Sequence, residues 1–249
     1  MLEMNRNTRI SSSPDKSSRR LTTVVLSVFA LSLGVVGMAA AQSTEQKANQ
    51  TVEKSKLTVE TFQADYNFTH NYDGYLKTAR GFLIVPQMVK GGLIVGGSGG
   101  TGLLVARNEE TGEWSNPAFY TLGGVSFGLQ AGGQASQTLI IVTNERGLNR
   151  LLNTGAKLGA DLSMAAGPIG EGIGPGNITA DLIVFTRNKG LYGGISVEGS
   201  VVDVRESWNK AYYGEDLRPS DILIHGKGEN PQADPLLEAI AKLVGDEAD

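Results

Sequence analysis

The chain of 249 residues has no cysteine. That excludes disulfides, thiolate metal sites, cysteine nucleophiles and anchoring through a lipid-modified cysteine. Histidine is nearly absent, with only His70 and His225. No calcium-loop motif is present either, so neither a metal nor another cofactor is expected. Positive charge is also in deficit, because 22 Lys+Arg face 26 Asp+Glu. Residues 1–41 hold five of the basic and two of the acidic residues, so the remainder carries 17 against 24, a net charge of −7. An acidic balance of that size excludes nonspecific nucleic-acid binding, which needs a basic surface. Long apolar runs are scarce; the one that approaches membrane length is Leu21–Ala41.

That run reads as part of a signal peptide over residues 1–41. Arg6, Arg9, Lys16, Arg19 and Arg20 form a basic n-region, Leu21–Val36 is the apolar stretch, and Ala39-Ala40-Ala41 offers a small-residue cleavage site before Gln42. An uncleaved anchor is the rival reading, since about 20 apolar residues span a bilayer. The expected location is exported, periplasmic or secreted, with membrane association open. Residues 42–249 suffice for one domain with a sizeable core.

Glycine is abundant, at 33 residues, about twice the usual share of roughly 7%. Many of these glycines punctuate apolar strands. In Thr121–Thr143, Val125, Phe127 and Leu129 alternate with Ser126, Gly128 and Gln130, the period of a half-buried strand. Leu139-Ile140-Ile141-Val142 is a continuous apolar run suited to a strand covered on both faces. Gly132 and Gly133 are expected in the turn between the two. Gly81–Val85 reads as a strand stopped by Pro86. Gly91–Val95 and Leu103–Arg107 read as strands around a glycine loop, and Trp114–Tyr120 pairs back across a turn at Glu109–Gly112. Further strands are expected at Lys157–Ala165, Ala180–Thr186 and Leu191–Val204.

Helices have clear signals. Val52, Val59, Phe62 and Tyr66 fall at helical spacing in Ser43–Phe68, which is either docked on the sheet or laid on a membrane surface. Tyr72–Ala79 is a second short helix or turn. Asn144 can cap a helix through Leu148, Leu151 and Leu152. Asp234 and Pro235 open a C-terminal helix that Gly245 stops. The fold class is therefore α+β: a curved antiparallel sheet or open barrel with N-terminal, mid-chain and C-terminal helices.

Two catalytic patterns fail on context. Gly97–Gly102 satisfies G-x-G-x-x-G, but no helix pattern or lysine follows, as nucleotide binding requires. Gly124-Val125-Ser126-Phe127-Gly128 satisfies G-x-S-x-G, and His225 follows it in the order of a serine hydrolase. Ser126, however, sits in an alternating strand pattern rather than at a strand-to-helix turn. The basic residues near turns are a better lead. Lys77, Arg80 and Lys90 flank the first strand, and Arg187 and Lys189 lie between two later ones. A sheet that gathers them makes a cationic patch able to hold an anionic head group.

With these residues in view, the chain resembles the SYLF domain family, which includes yeast actin-patch regulators. The resemblance rests on Ala79–Pro86, Val89–Gly92, Trp114–Phe119, Ser126–Gln134, Ala165–Gly170, Lys189–Gly199, Tyr212-Tyr213-Gly214 and Asp221-Ile222-Leu223, which are collinear over a core of residues 75–224. It implies a non-enzymatic lipid-binding module for phosphoinositides and other anionic lipids, with actin binding in some members. The basic residues implied are Lys77, Arg80, Lys90 and Lys189. A protein-interaction scaffold with an envelope partner is the alternative, and a serine hydrolase a third reading. Export predicts that the protein recovered outside the cytoplasm begins at Gln42, as intact mass measurement would show; a mass retaining residues 1–41 would indicate an anchor.

Overall fold

The computed structural model describes residues 43–92, 95–127, 132–167, 178–188, 191–192 and 197–246. Helix α1 runs over residues 43–63. Its buried Ala48, Val52, Ser55, Val59 and Phe62 alternate in steps of four and three, one stripe of the helix. That stripe packs on the sheet in a common core with Phe82, Ile84, Leu103 and Phe185, so α1 is docked on the sheet. The chain breaks at Ala64–Asp65, where the Asp65 carboxylate accepts from the Phe68 amide at 3.1 Å and caps α2 (Tyr66–Lys77). Tyr66 therefore does not extend the α1 stripe; it opens the next helix and is exposed.

The strands are β1 (Gly81–Gly92), β2 (Val95–Ala106), β3 (Ala118–Phe127), β4 (Gly132–Val142), β5 (Ala156–Lys157), β6 (Met164–Ala166), β7 (Leu182–Asn188), β8 (Leu191–Tyr192) and β9 (Val201–Val204). They form one curled half-barrel in the order β5-β9-β3-β2-β1-β4-β7-β6, with β8 paired to β7. All described pairings are antiparallel except β6 with β7. The centre is β1, hydrogen-bonded to β2 on one side and β4 on the other.

Four expectations need correction. The strands β3 and β4 are not a paired couple; β2 and β1 stand between them. Gly132 and Gly133 lie within β4 rather than in a turn. Pro86 does not stop β1, and the glycine segment Gly96–Gly102 is strand rather than loop. The register shifts between Ile84 and Gln87 towards β2, and between Val85 and Met88 towards β4. Pro86 sits in that bulge, where a residue without an N–H costs no ladder bond.

Alternation along β1 builds two cores. Phe82 and Ile84 face α1, α2 and α6, while Leu83 and Val85 face the opposite layer. That layer is supplied by α3 (Glu145–Leu151), the loops around Leu158 and Leu162, and α5 (Pro219–Leu223). Asn144 caps α3, accepting from the Gly147 amide at 2.8 Å. Beside it Asp181 is buried. Its carboxylate accepts from the Ser163 amide at 2.9 Å, the Ser163 hydroxyl at 2.7 Å and Asn144 Nδ2 at 3.2 Å. Burial works against the Asp181 charge, but these donors and Arg146 outweigh it and hold the carboxyl below its ordinary value.

The helices after the sheet are locked by motif residues. In α4 (Glu206–Tyr213), buried Asn209 accepts from the Phe119 amide at 2.8 Å, and the Tyr213 hydroxyl donates to Pro117 O at 2.6 Å. Tyr212 packs edge-on to Phe119, and Gly214 ends the helix in the left-handed region. Arg218 and Lys227 bond the Asp221 carboxylate at the start of α5 and hold it near 2. A short 3-10 turn, Pro231–Ala233, precedes α6 (Asp234–Val244); Asp234 is thus inside the first turn rather than the cap.

Close approach explains one glycine and not another. A Cβ on Gly102 would lie 2.2 Å from Ile84 O, whereas one on Gly123 meets nothing within 4 Å. Gly102→Ala is expected to cost at least 1–3 kcal/mol, and Gly123→Ala well under that, both measured by urea unfolding. Asp181→Asn removes a charge-assisted acceptor and is expected to cost about 1.5–3 kcal/mol at neutral pH. A carboxyl depressed in the folded state contributes fully above its unfolded value of about 4 and loses that contribution as pH falls through the folded value. The gap between the parent and Asp181→Asn should therefore narrow below about pH 4.

Candidate anion-binding surface

Beyond the two cores the sheet continues as a glycine-rich end. Across four strands the rows read Gly123–Gly99–Val89–Ala135 and Val125–Gly97–Gly91–Gly133. Val89 and Val125 are 46% and 65% exposed there. Between this end and the core, on the face that carries α1, runs a polar row. Arg187 of β7 lies opposite Gln137, Gln87 opposite Thr101, and Thr101 opposite Thr121.

Where α1 crosses this row there is a cleft of about 410 Å³. Lys54, Leu57 and Thr58 line it from the helix, and Pro86, Gln87, Gln137 and Arg187 from the sheet. Arg187 Nη1 donates to Thr61 O at 2.9 Å, which ties the strand to the C-terminal part of α1. Gln137 Nε2 donates to Thr58 Oγ1 at 3.4 Å, and that hydroxyl donates to Lys54 O at 2.9 Å. Among the described residues the lining holds two cations and no carboxylate. In a chain with a net charge of −4, that is a local reversal of sign, and Leu57, 51% exposed, gives it an apolar edge. A second groove, of about 610 Å³ between α1 and α6, contains both Glu53 and Lys56 and has no such bias.

The five basic residues expected from the sequence are not gathered into one patch. Lys77 pairs with Asp73 at 3.0 Å on α2. Arg80 pairs with Glu109 and lies 3.8 Å from Glu145. Both precede β1, while Lys90 stands near its far end, opposite Ser98 and Gln134. At about 3.3 Å per residue the separation of Arg80 and Lys90 is roughly 30 Å. Arg187 lies within β7 rather than in a turn and faces the cleft. Lys189 lies outside the described residues. Lys54 was not anticipated, because Glu53 and Glu60 masked it in a mixed-charge helix; its signal was its position one turn before Thr58, beside Leu57.

The other chemistry is equally plain. Ser126 is a β3 residue and His225 lies in the turn after α5, so no strand-to-helix elbow presents the serine. Gly97–Gly102 lies in β2, which leads into a hairpin, not a helix. Among the described residues no group of three His, Asp or Glu could hold a metal ion, and no helix is long and apolar enough to cross a membrane.

These features define an α+β half-barrel whose open surfaces are a cationic cleft and a bare sheet end. A family profile described as "Ysc84: Las17-binding protein actin regulator" matches residues 123–243. SH3 domain-containing YSC84-like protein 1 of Homo sapiens is 32% identical over 167 residues, covering 65% of this chain and 48% of the relative. Protein YSC84 of Saccharomyces cerevisiae is 31% identical over 172 residues, covering 66% and 36%, and LAS seventeen-binding protein 3 is 29% identical, covering 66% and 37%. Together these matches establish a SYLF (Ysc84) family relationship for this chain. The chain spans about half or less of the length of these relatives.

Proposed function

We propose that this is a non-enzymatic exported protein that binds anionic lipid, phosphoinositides among them, at a membrane surface. The observation that carries the reading is the cleft between α1 and the sheet, with Lys54 and Arg187 in its lining, no carboxylate among the described lining residues, and Leu57 at its edge. A cation pair beside an exposed apolar side chain fits an amphiphile whose head group is negative. Lys90 follows Met88 onto the other face of β1 from Gln87 and is not counted in the cleft. Lys77 and Arg80 contribute less, since their charges already meet acidic partners. One relative is named a LAS seventeen-binding protein and the family profile is described as a Las17-binding actin regulator, which supports a binding role. Actin contact comes to this chain only by analogy with the relatives, and export would separate it from the actin of its own cytoplasm.

A protein-interaction scaffold in the envelope is the second reading, favoured by exposed Val89 and Val125 on the bare sheet end. Apolar partner binding tolerates salt, whereas head-group binding is screened by it. In vesicle co-sedimentation of residues 42–249, anionic vesicles should bind and neutral ones should not. Lys54→Gln with Arg187→Gln should weaken that binding roughly thirtyfold, at about 1 kcal/mol per cation near an anionic surface. Binding that ignores both salt and this variant would overturn the assignment of the cleft, and absence of binding at low salt would overturn the lipid reading.

A further inference from the structure

A second cation stands on the same face of the sheet. Arg205 joins β9 to α4, and its backbone amide donates to Phe119 O at 2.9 Å. Its guanidinium carbon lies over the Trp208 ring, 4.1 Å from the centroid, and Nη1 donates to Thr101 Oγ1 at 2.8 Å. Thr101 follows the alternation that places Leu103 and Val105 in the α1-side core, and Arg187 follows Ile183 and Phe185 in the same way. The two arginines therefore share one face.

Among the described residues no carboxylate pairs with Arg205. Asp203, two residues before it, turns its Oδ1 to Thr154 Oγ1 and the Gly155 amide, both at 2.8 Å, and the adjacent Glu206, in the first turn of α4, forms no ion pair with it among the described residues. A guanidinium has five N–H donors, and only one is seen to be used. Burial without a compensating charge pulls the Arg205 pKa down from its ordinary value. Beside it the floor is bare, with Gly99 opposite Gly123 in the next row outward. A ligand atom can approach the sheet there without meeting a side chain.

We infer that Arg205, held between Trp208 and Thr101, is a second anion subsite that takes a phosphate-type group. The indole contact and the bond to Thr101 hold the guanidinium in place, and its remaining donors suit a tetrahedral oxyanion bidentately. The Thr101 hydroxyl, which accepts from Arg205, keeps its proton to donate to the same anion. From β7 across β4 and β1 to β2 is three strand spacings, about 14 Å. Arg187 and Thr101 are that far apart; Gln87, which lines the cleft, stands opposite Thr101, so the two sites adjoin and each has its own arginine. The phosphate is either free or the head group of a lipid.

Trp208 is the reporter. The chain has two tryptophans, and Trp114→Phe leaves Trp208 alone while removing a buried indole N–H that has no partner. The full chain carrying Trp114→Phe is titrated with inorganic phosphate, and separately with phosphatidylglycerol or phosphatidylcholine vesicles, at constant ionic strength. A saturable change in Trp208 emission with phosphate is expected. Arg205→Gln in that background should weaken it by about tenfold or more, the scale of one charge-assisted contact. Arg205→Lys should fall between the two, since it keeps charge but loses the fork. Lys54→Gln with Arg187→Gln should leave it unchanged, so failure of the cleft assignment is distinguishable from failure of this one. A response to phosphatidylglycerol and not to phosphatidylcholine assigns the phosphate to a lipid head group; a response to inorganic phosphate alone assigns it to a free anion. No saturable response to any of them, or an undiminished response in a folded Arg205→Gln protein, overturns the subsite.

Discussion

The structure depends on the burial of β1 from both sides at once. Phe82 and Ile84 enter one core, Leu83 and Val85 the other, and every other layer is placed by reference to them. Such a strand must be paired along both edges, because an unpaired backbone group in that position has no water to turn to. The pairing with β2 is tight: Gly100 and Gly102 leave no room for a Cβ against the backbone of Gln87 and Ile84. The bulge at Pro86 then lets β1 run on past the core. The exposed sheet end exists because the central strand continues where the apolar residues stop.

Charge is partitioned with equal economy. Arg107, Arg150, Arg80 and Lys77 are each engaged by carboxylates of neighbouring loops or helices. Lys54 lines the cleft, Arg187 donates to a backbone carbonyl, Thr61 O, and Arg205 donates to a hydroxyl, Thr101 Oγ1. A carbonyl or hydroxyl positions a cation without neutralising it, so the field of these groups remains available to an incoming anion. The same face that carries the helical core thus also carries Arg187 and Arg205.

Most residues behind the family likeness do structural work. Tyr213 binds Pro117, Tyr212 packs on Phe119, Gly214 ends α4, and Asp221 orders the start of α5. They explain why the fold is shared with proteins named as actin regulators. These four do not line the cleft, to which the likeness contributes Pro86, so the likeness carries architecture further than it carries ligand identity.

The local signals of the sequence determined the elements whose cause is local. Asn144 before Gly147, Pro235 and Gly245 around an apolar face, and the run Leu139–Val142 each specify an element from its own residues. The passage of β1 through Pro86 and the extension of β2 through its glycines were not legible, because pairing with neighbouring strands overrode local breaker propensity; the break at Asp65 was hidden because Tyr66 continues the apolar spacing of α1 while the Asp65 cap starts a new helix. Strand order decided the rest. It separated Arg80 from Lys90, set β1 and β2 between β3 and β4, and brought Lys54 of α1 to Arg187 of β7. Residues more than a hundred positions apart meet only through hydrogen-bonded strands between them, and nothing in the linear chain states which strands those are. The sequence alone determined that this is a glycine-rich α+β chain with a paired hydrophobic core; only the tertiary structure decided which of its few cations share a face.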